Sequence, residues 1–440
     1  MSRELARVLT LKDATMIVVS SIIGVGIFLT PGEVARLIPN ASLFLGAWIL
    51  GGALSLAGAL ANAELGAMFP KAGGNYVYLR EAIHPLAGFV VGWQSFFAIF
   101  VGTVATLGTG VATSLSSFFV FSEREQTLIA VAAIVLISLV NIASTRMSAN
   151  LNTVTGFLKV AALVALAAFG LFASPLKEVA KESAEGATTL VSFGSALSPV
   201  LFSYLGWNAS VFVGGEIRDP QRNIPRSLFL GLAISTLAYL VLAFVYVRVL
   251  GIGGLARSEN AGADVAGVIF GARGASLFGA LVALSILGCL SANVLTGPRI
   301  LYAMAKDGLF FRAVSTVGEK SAAPTPAIII QGAFAIALVL FARDLGRVLN
   351  YTTFAIVLAT IADTLALYLL RRKLPNAERP YRAHGYPFVP LLYVAANVAI
   401  AIAMLMSDPK ECVLGLAVAA LGVPAYFLFR RSSAFGKERS

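Results

Sequence analysis

Apolar residues do not alternate along this chain. They run in blocks of helix length, separated by short polar stretches, at roughly 13–38, 41–68, 86–119, 127–143, 151–173, 194–215, 227–250, 274–304, 325–342, 347–371, 387–406 and 411–430. About 20 apolar residues make a helix long enough to cross the hydrocarbon of a bilayer. The pattern therefore predicts an all-α chain with twelve transmembrane helices. The blocks at 86–119 and 274–304 exceed that length and are expected to tilt.

Two blocks carry the wrong residues for an uninterrupted helix. In the first, Gly24-Val25-Gly26-Ile27-Phe28 is followed by Thr30-Pro31-Gly32. In the sixth, Tyr204-Leu205-Gly206-Trp207-Asn208-Ala209-Ser210 sets Trp, Asn and Ser around a glycine. Non-helical backbone at membrane depth is tolerated only where it is buried in protein or lines a cavity. A single Gly-x-Gly is explained as readily by close helix packing, since small residues line helix contacts in membranes. Two breaks, each in the first helix of a five-helix half, point instead to a binding site at the bilayer midplane. The amides and carbonyls freed there suit a zwitterionic solute.

Composition agrees with the pattern. The chain is 58% hydrophobic and 12% charged, against about 25% charged for a soluble domain, and its mean hydropathy is +0.85. A net charge of +11 would suggest nucleic acid in a soluble protein. Membrane proteins instead concentrate Lys and Arg in cytoplasmic loops. With the N-terminus placed in the cytoplasm, 22 basic residues fall on that side and 10 on the other, with Lys159 left inside a span. Both termini are thus expected in the cytoplasm, with no nucleic-acid partner. The apolar stretch behind Arg3, Arg7 and Lys12 runs into the glycine break rather than a small-residue cleavage site, so no cleavable signal peptide is expected. The two cysteines, Cys289 and Cys412, lie in apolar segments, which argues against a disulfide framework. No metal cluster, phosphate-binding loop or nucleophile–base set is apparent, so neither enzyme chemistry nor a cofactor is expected.

Few charges lie inside the spans. Lys159 stands nine positions into a span with no other charge. Such a lysine costs about 2.5–3.5 kcal/mol on insertion scales and wants a partner, unless it snorkels to the interface. Asp363, in the tenth span, also lies deep, although Arg371 and Arg372 end that helix and a structural role serves equally well. Glu64 and Glu216 sit near helix ends and suit gate or loop ion pairs. Asp219, Arg222 and Arg226 read as solvated loop charges, and His84, before Pro85, as interfacial.

Five motifs in order carry a resemblance. They are Ile23-Gly24-Val25-Gly26-Ile27-Phe28, Pro70-Lys71-Ala72-Gly73-Gly74-Asn75-Tyr76-Val77-Tyr78, Phe202-Ser203-Tyr204-Leu205-Gly206-Trp207-Asn208, Asp219-Pro220-Gln221-Arg222-Asn223-Ile224-Pro225, and Asn293 through Arg299-Ile300-Leu301-Tyr302-Ala303-Met304-Ala305-Lys306-Asp307-Gly308. From about residue 10 to 430 the chain resembles the amino acid–polyamine–organocation (APC) transporters, and within them the L-type or heteromeric-light-chain-like amino acid transporters. The resemblance implies a LeuT-type fold in one transmembrane domain over 1–440, with inverted five-helix repeats at about 10–173 and 190–372 and peripheral helices at about 386–430. It implies a multi-pass protein of the cell membrane that carries neutral, small L-amino acids without sodium by alternating access, as an exchanger or a proton symporter. A proton-coupled carrier of cationic amino acids or polyamines is the nearest alternative. It would offer a buried carboxylate to the second amine, and none is obvious beside the breaks. A non-transporting sensor would carry a signalling domain, and none is attached. An ion channel is a third alternative.

The resemblance also assigns residues. The amides of Val25, Gly26 and Ile27 hold the substrate carboxylate at the positive end of a half-helix. The carbonyls of Ile22, Phe202, Ser203 and Leu205 hold its ammonium. Leu205, Trp207 and Asn208 wall the side-chain pocket, and Phe202 is the aromatic gate, or else an ordinary packed ring. Lys159 occupies the place of sodium in related sodium-coupled transporters, bridging carbonyls near Ile23 or Gly24 to Ser285 or Cys289, and proton coupling through it stays open. Three departures limit the likeness: Val25 stands where the family commonly has serine, Leu205 where members accepting bulky substrates have glycine, and Phe121-Ser122-Glu123-Arg124-Glu125 offers no cysteine to a heavy subunit. A stand-alone bacterial-type protein with no disulfide-linked heavy subunit is therefore expected.

Overall fold

The computed structural model describes residues 4–116, 118–173, 188–342 and 345–437. Five of the counted basic residues (Arg3, Lys177, Lys181, Arg343 and Arg439) lie outside the described residues, as does most of the stretch between the two expected repeats. In chain order the helices are α1 (Leu11–Ile22), α2 (Gly26–Leu37), α3 (Ala41–Met68), α4 (Asn75–Ala82), α5 (Pro85–Gln94), α6 (Val101–Leu115), α7 (Glu123–Ala143), α8 (Thr145–Phe172), α9 (Leu190–Tyr204), α10 (Ala209–Phe212), α11 (Pro220–Arg257), α12 (Ala261–Phe270), α13 (Ala272–Thr296), α14 (Pro298–Lys306), α15 (Thr325–Phe341), α16 (Leu345–Lys373), α17 (Phe388–Ser407) and α18 (Pro409–Lys437). Among the described residues nine helical stretches are long and apolar enough to cross a membrane, and the α1–α2 pair, bent by 44°, makes a tenth. The twelve expected spans are reached by taking α15 and the α9–α10 pair, both shorter, as crossings too.

Local chemistry sets the ends. Thr10 and Asp13 form a capping box that starts α1, and Ser122 and Glu125 form one that starts α7. The stretch 121–125 is therefore the entry to a helix as much as a loop. The third block is continuous from Pro85 to Leu115 because a π-helical turn, Ser95–Phe100, joins α5 to α6. The eighth block also forms one long apolar span, Phe278–Lys306, in which α13 and α14 join at Gly297-Pro298, where proline lacks the N–H that would continue the ladder.

The broken helices sit at the centre. α1 packs on α8, α11 and α13, α2 on α9, α11 and α12, and α9 on α3, while α16 lies against α3, α4 and α6 with α17 and α18 outside it. Many outward positions on α7, α8, α17 and α18 are exposed Leu, Val and Phe, as expected where lipid replaces water as solvent.

The side that holds the N-terminus is tied shut by buried charge. Arg299 donates to both carboxylate oxygens of Glu216, at 2.7 and 2.9 Å, and both side chains are fully buried. Glu64 receives Arg371 at 3.0 and 2.5 Å, Arg379 at 3.1 Å and the Ala383 amide at 2.7 Å. Arg146 pairs with Asp13 at 2.6 Å, and Arg80 pairs with Asp307. Buried charges need partners of this kind, although Arg299 Nη1 has none among the described residues. The ion-pair reading of Glu64 and Glu216 thus fits their positions, while Asp219, Arg222 and Arg226 are exposed as expected, Asp219 at the N-cap of α11 and the two arginines in its first turns rather than in a loop. Two isolated β-bridges complete this face. Leu9 pairs with Ile217, and Ala72 with Val213.

Candidate functional site

At the first break α1 ends at Ile22, and the Gly24 amide turns back to the Ile22 carbonyl at 2.8 Å. α2 begins at Gly26 with Val25 at its N-cap, and no side chain caps it. The amides of Val25, Gly26 and Ile27 reach no backbone acceptor among the described residues. Three adjacent free donors at the start of a half-helix make a ready anion site.

The second break, Leu205–Asn208, presses directly on the first. Gly206 has φ +98°, and a Cβ there would sit 2.8 Å from the Ser21 carbonyl oxygen, so only glycine fits both the turn and the approach. A Cβ on Gly26 would lie 2.7 Å from Ser203 Cα. The Thr30 and Ser203 hydroxyls meet at 2.9 Å. Tyr239, fully buried on α11, places its hydroxyl 2.8 Å from the Ile22 carbonyl and 3.0 Å from that of Ser203, joining the two breaks. Of the four carbonyls expected to meet an ammonium, Leu205 has no hydrogen-bond donor recorded among the described residues. Those of Ile22, Phe202 and Ser203 already accept from Tyr239 or from nearby backbone amides. A carbonyl has two lone pairs, so Phe202 and Ser203 keep capacity. Ile22 takes the Gly24 N–H and shares the single Tyr239 proton with Ser203, so it is the most nearly saturated of the four.

Lys159 is fully buried and does not snorkel. Its ammonium donates to the carbonyls of Ser20 at 3.1 Å and Ile23 at 2.9 Å and lies 3.4 Å from Cys289 Sγ. Three protons thus find three partners. Ser285 bonds the Ile23 carbonyl at 3.0 Å rather than the ammonium, and Gly24 is not a Lys159 partner. Both act beside the lysine instead of on it. Gly288 was invisible to sequence reasoning. A Cβ on it would stand 2.7 Å from Lys159 Cε, so its hydrogen leaves the room the lysine fills.

Between the breaks lies a cavity of about 200 Å³. Its wall takes in Ile22, Gly24, Val25, Gly26, Phe202, Ser203, Leu205, Asn208 and Cys289 from the expected set, and adds Asn75, Phe100, Thr103, Asn293, Thr353 and Thr360. Ile27, Ser285 and Lys159 lie behind it. Trp207 is a correction: its ring turns away from the cavity and packs edge-on to Tyr393 of α17, with centroids 6.1 Å apart. The positive φ at Gly206 reverses the side presented by the next residue. Thr103, Thr106 and Leu107 of α6 and Leu349, Thr353 and Ile356 of α16 place the mouth away from the face that holds the N-terminus. A larger space of about 460 Å³ lies on that face between Arg7, Lys71, Arg80 and Lys306, remote from both breaks. Among the described residues no group of His, Cys, Asp and Glu is placed to hold a metal.

A profile of the amino acid permease family matches residues 9–419. The chain belongs to that family. The permease is similar to the serine/threonine exchanger SteT of Bacillus subtilis, with 29% identity over 96% of both chains. It is 28% identical to the human cystine/glutamate transporter over 97% of this chain and 86% of that one. It is 27% identical to the mouse b(0,+)-type amino acid transporter 1 over 95% and 87%. The permease is therefore a multi-pass amino acid transporter of the APC superfamily, L-type-like, and not an enzyme.

Proposed function

We propose that the permease carries small neutral L-amino acids across the cell membrane without sodium, by exchange, with both termini cytoplasmic and the cavity open to the outside. The observation that carries this reading is the joined pair of breaks. The three amides left without backbone acceptors at the first break suit a carboxylate, and the carbonyls of the second break suit an ammonium. The cation position beside them is filled by Lys159. Every amino acid shares the backbone being gripped, so choice falls to the wall. There Leu205 and the hydroxyl and amide side chains of Thr103, Asn208 and Asn293 favour a short or hydroxylated side chain. The exchanger of serine and threonine in Bacillus subtilis, similar over nearly its whole length, supports the same reading. We further infer two inverted five-helix repeats, about 10–173 and 190–372, each opened by its broken helix, with peripheral helices at about 386–430. We expect the protein to act alone, without a disulfide-linked heavy subunit.

Radiolabelled serine and alanine uptake into proteoliposomes tests the proposal. Uptake should rise when the liposomes are preloaded with unlabelled serine and should be the same in sodium and choline buffers. Strict sodium dependence would overturn the role given to Lys159. Competition by arginine as strong as by serine would favour the cationic-substrate alternative.

A further inference from the structure

Beside Lys159 and the ion-paired groups of the closed face, Asp363 is a further charged-type side chain buried in the helical core, and nothing above gives it a role. It sits on α16, fully buried, three residues beyond Thr360 on the cavity wall. Three residues of helix are about 4.5 Å along the axis. The carboxyl thus lies about one turn behind the cavity, on the side tied shut by charge.

No ion pair reaches it among the described residues, and the donor within reach of its oxygens is the side-chain amide of Asn62 on α3. Asn62 is also fully buried and has no other partner among the described residues. A buried carboxyl and a buried amide left to one loose contact with each other are unusual, because buried polar groups almost always find good partners. The cations that would serve Asp363 are spent elsewhere. Arg371, two turns further along α16, is bound to both oxygens of Glu64 and lies over the Tyr386 ring at 3.8 Å, while Arg379 also goes to Glu64.

The groups facing the carboxyl are uncharged. Tyr78 on α4 and Tyr393 on α17 are its titratable neighbours, both buried. From α18, Cys412 packs against Phe354 and Val357, nearer the start of α16, and Glu411 pairs with Arg347 at 3.7 Å. α6 and the π-helical turn carry no ionisable residue. A lone carboxylate in such a place has no cation to offset its desolvation. A neutral acid in the same place loses only ordinary hydrogen bonds.

We propose that Asp363 is a proton-binding site of the transport cycle, protonated while the face holding the N-terminus is sealed and releasing its proton to water when that face opens. Only an O–H bond forms and breaks: the proton comes from water on the outer side, through the cavity one turn away, and leaves to water on the inner side when the sealed face opens, so each exchange of amino acids moves one proton inward. Acidification then favours the sealed state, and each round of opening hands over one proton with the amino acid. The inference rests on the transport reading for its consequence, but not for the site itself.

Two arms test it. Infrared spectra of the reconstituted wild type should contain a protonated-carboxyl band that fades as pH rises and responds to added alanine; Asp363→Asn should lack it and Asp363→Glu should keep a shifted one. In liposomes loaded with a pH-sensitive dye, alanine uptake by wild type and Asp363→Glu should acidify the lumen, while Asp363→Asn should take up alanine with that acidification lost and a flat pH profile. A carboxyl band indifferent to pH and alanine would mean a structural acid and overturn the proposal. So would acidification that persists in Asp363→Asn, or stimulation by sodium or potassium that disappears with Asp363. If Asp363→Asn does not fold, the wild-type and Asp363→Glu spectra decide alone. Wild-type protein that moves no amino acid would refute the transport reading while leaving the infrared arm to judge the site.

Discussion

Lys159 and Asp363 are both fully buried in the membrane-spanning core, yet their surroundings are opposite. The lysine has a partner for each of its protons, all of them backbone carbonyls or a thiol that belong to the broken helix and its neighbour α13. The aspartate has no cation among the described residues and only the loosely placed amide of Asn62 opposite it. A fully satisfied buried charge is held in place and fixes the geometry around it. An unsatisfied one is cheaper neutral, so its charge can come and go. The contrast separates a brace from a switch.

The strongest way to break this contrast is Lys159→Ala. It takes the ammonium from the Ser20 and Ile23 carbonyls, which keep only the Cys289 thiol and the Ser285 hydroxyl. A hydrogen bond from a charged group is worth about 1.5–3 kcal/mol, so serine exchange should fall about 100-fold with little loss of protein in the membrane. Measured exchange within twofold of wild type would show that the first break holds itself. Next in size is Gly288→Ala, which pushes a methyl against Lys159 Cε. Overpacking of this kind costs about 1–3 kcal/mol and should lower uptake about tenfold. Tyr239→Phe removes the hydroxyl shared by Ile22 and Ser203, and the apparent affinity for serine should weaken about fivefold, the worth of about one net hydrogen bond. Asp363→Asn belongs at the bottom of the scale: at a single fixed pH its alanine exchange should stay within about threefold of wild type, because a neutral side chain of the same shape replaces a neutral acid. A collapse of exchange there would place Asp363 among the braces. Leu205→Gly stands apart from the contrast and should shift preference toward leucine by a few-fold in competition assays; an unchanged range would remove Leu205 from the pocket wall.

Much of this architecture was legible in one sequence, for a physical reason. Lipid cannot satisfy backbone groups, so a helix that breaks at membrane depth announces itself. That is why Gly24-Val25-Gly26 and Leu205-Gly206-Trp207 could be marked as breaks, and why a lysine among apolar neighbours stood out. What a break does next is not written locally. Trp207 was expected on the wall, but the turn at Gly206 sends it to α17. Tyr239 and Gly288 lie on helices far along the chain, and their value comes only from what they touch. The same is true of Asp363: its depth could be read from the sequence, but its lack of a cation could not, because Arg371 on its own helix looked like a candidate until it was seen on Glu64.

The two short bridges on the closed face have a mechanical consequence. Leu9 pairs with Ile217 and Ala72 with Val213, so the segment leaving the second break is stitched on one side to the N-terminal segment before α1 and on the other to the loop before α4. Three pieces of chain remote in sequence then share one degree of freedom. If the segment after Phe212 swings, the N-terminus must travel with it or let go. A probe attached beside Arg7, which is exposed, would read out each swing from the aqueous side without touching the cavity.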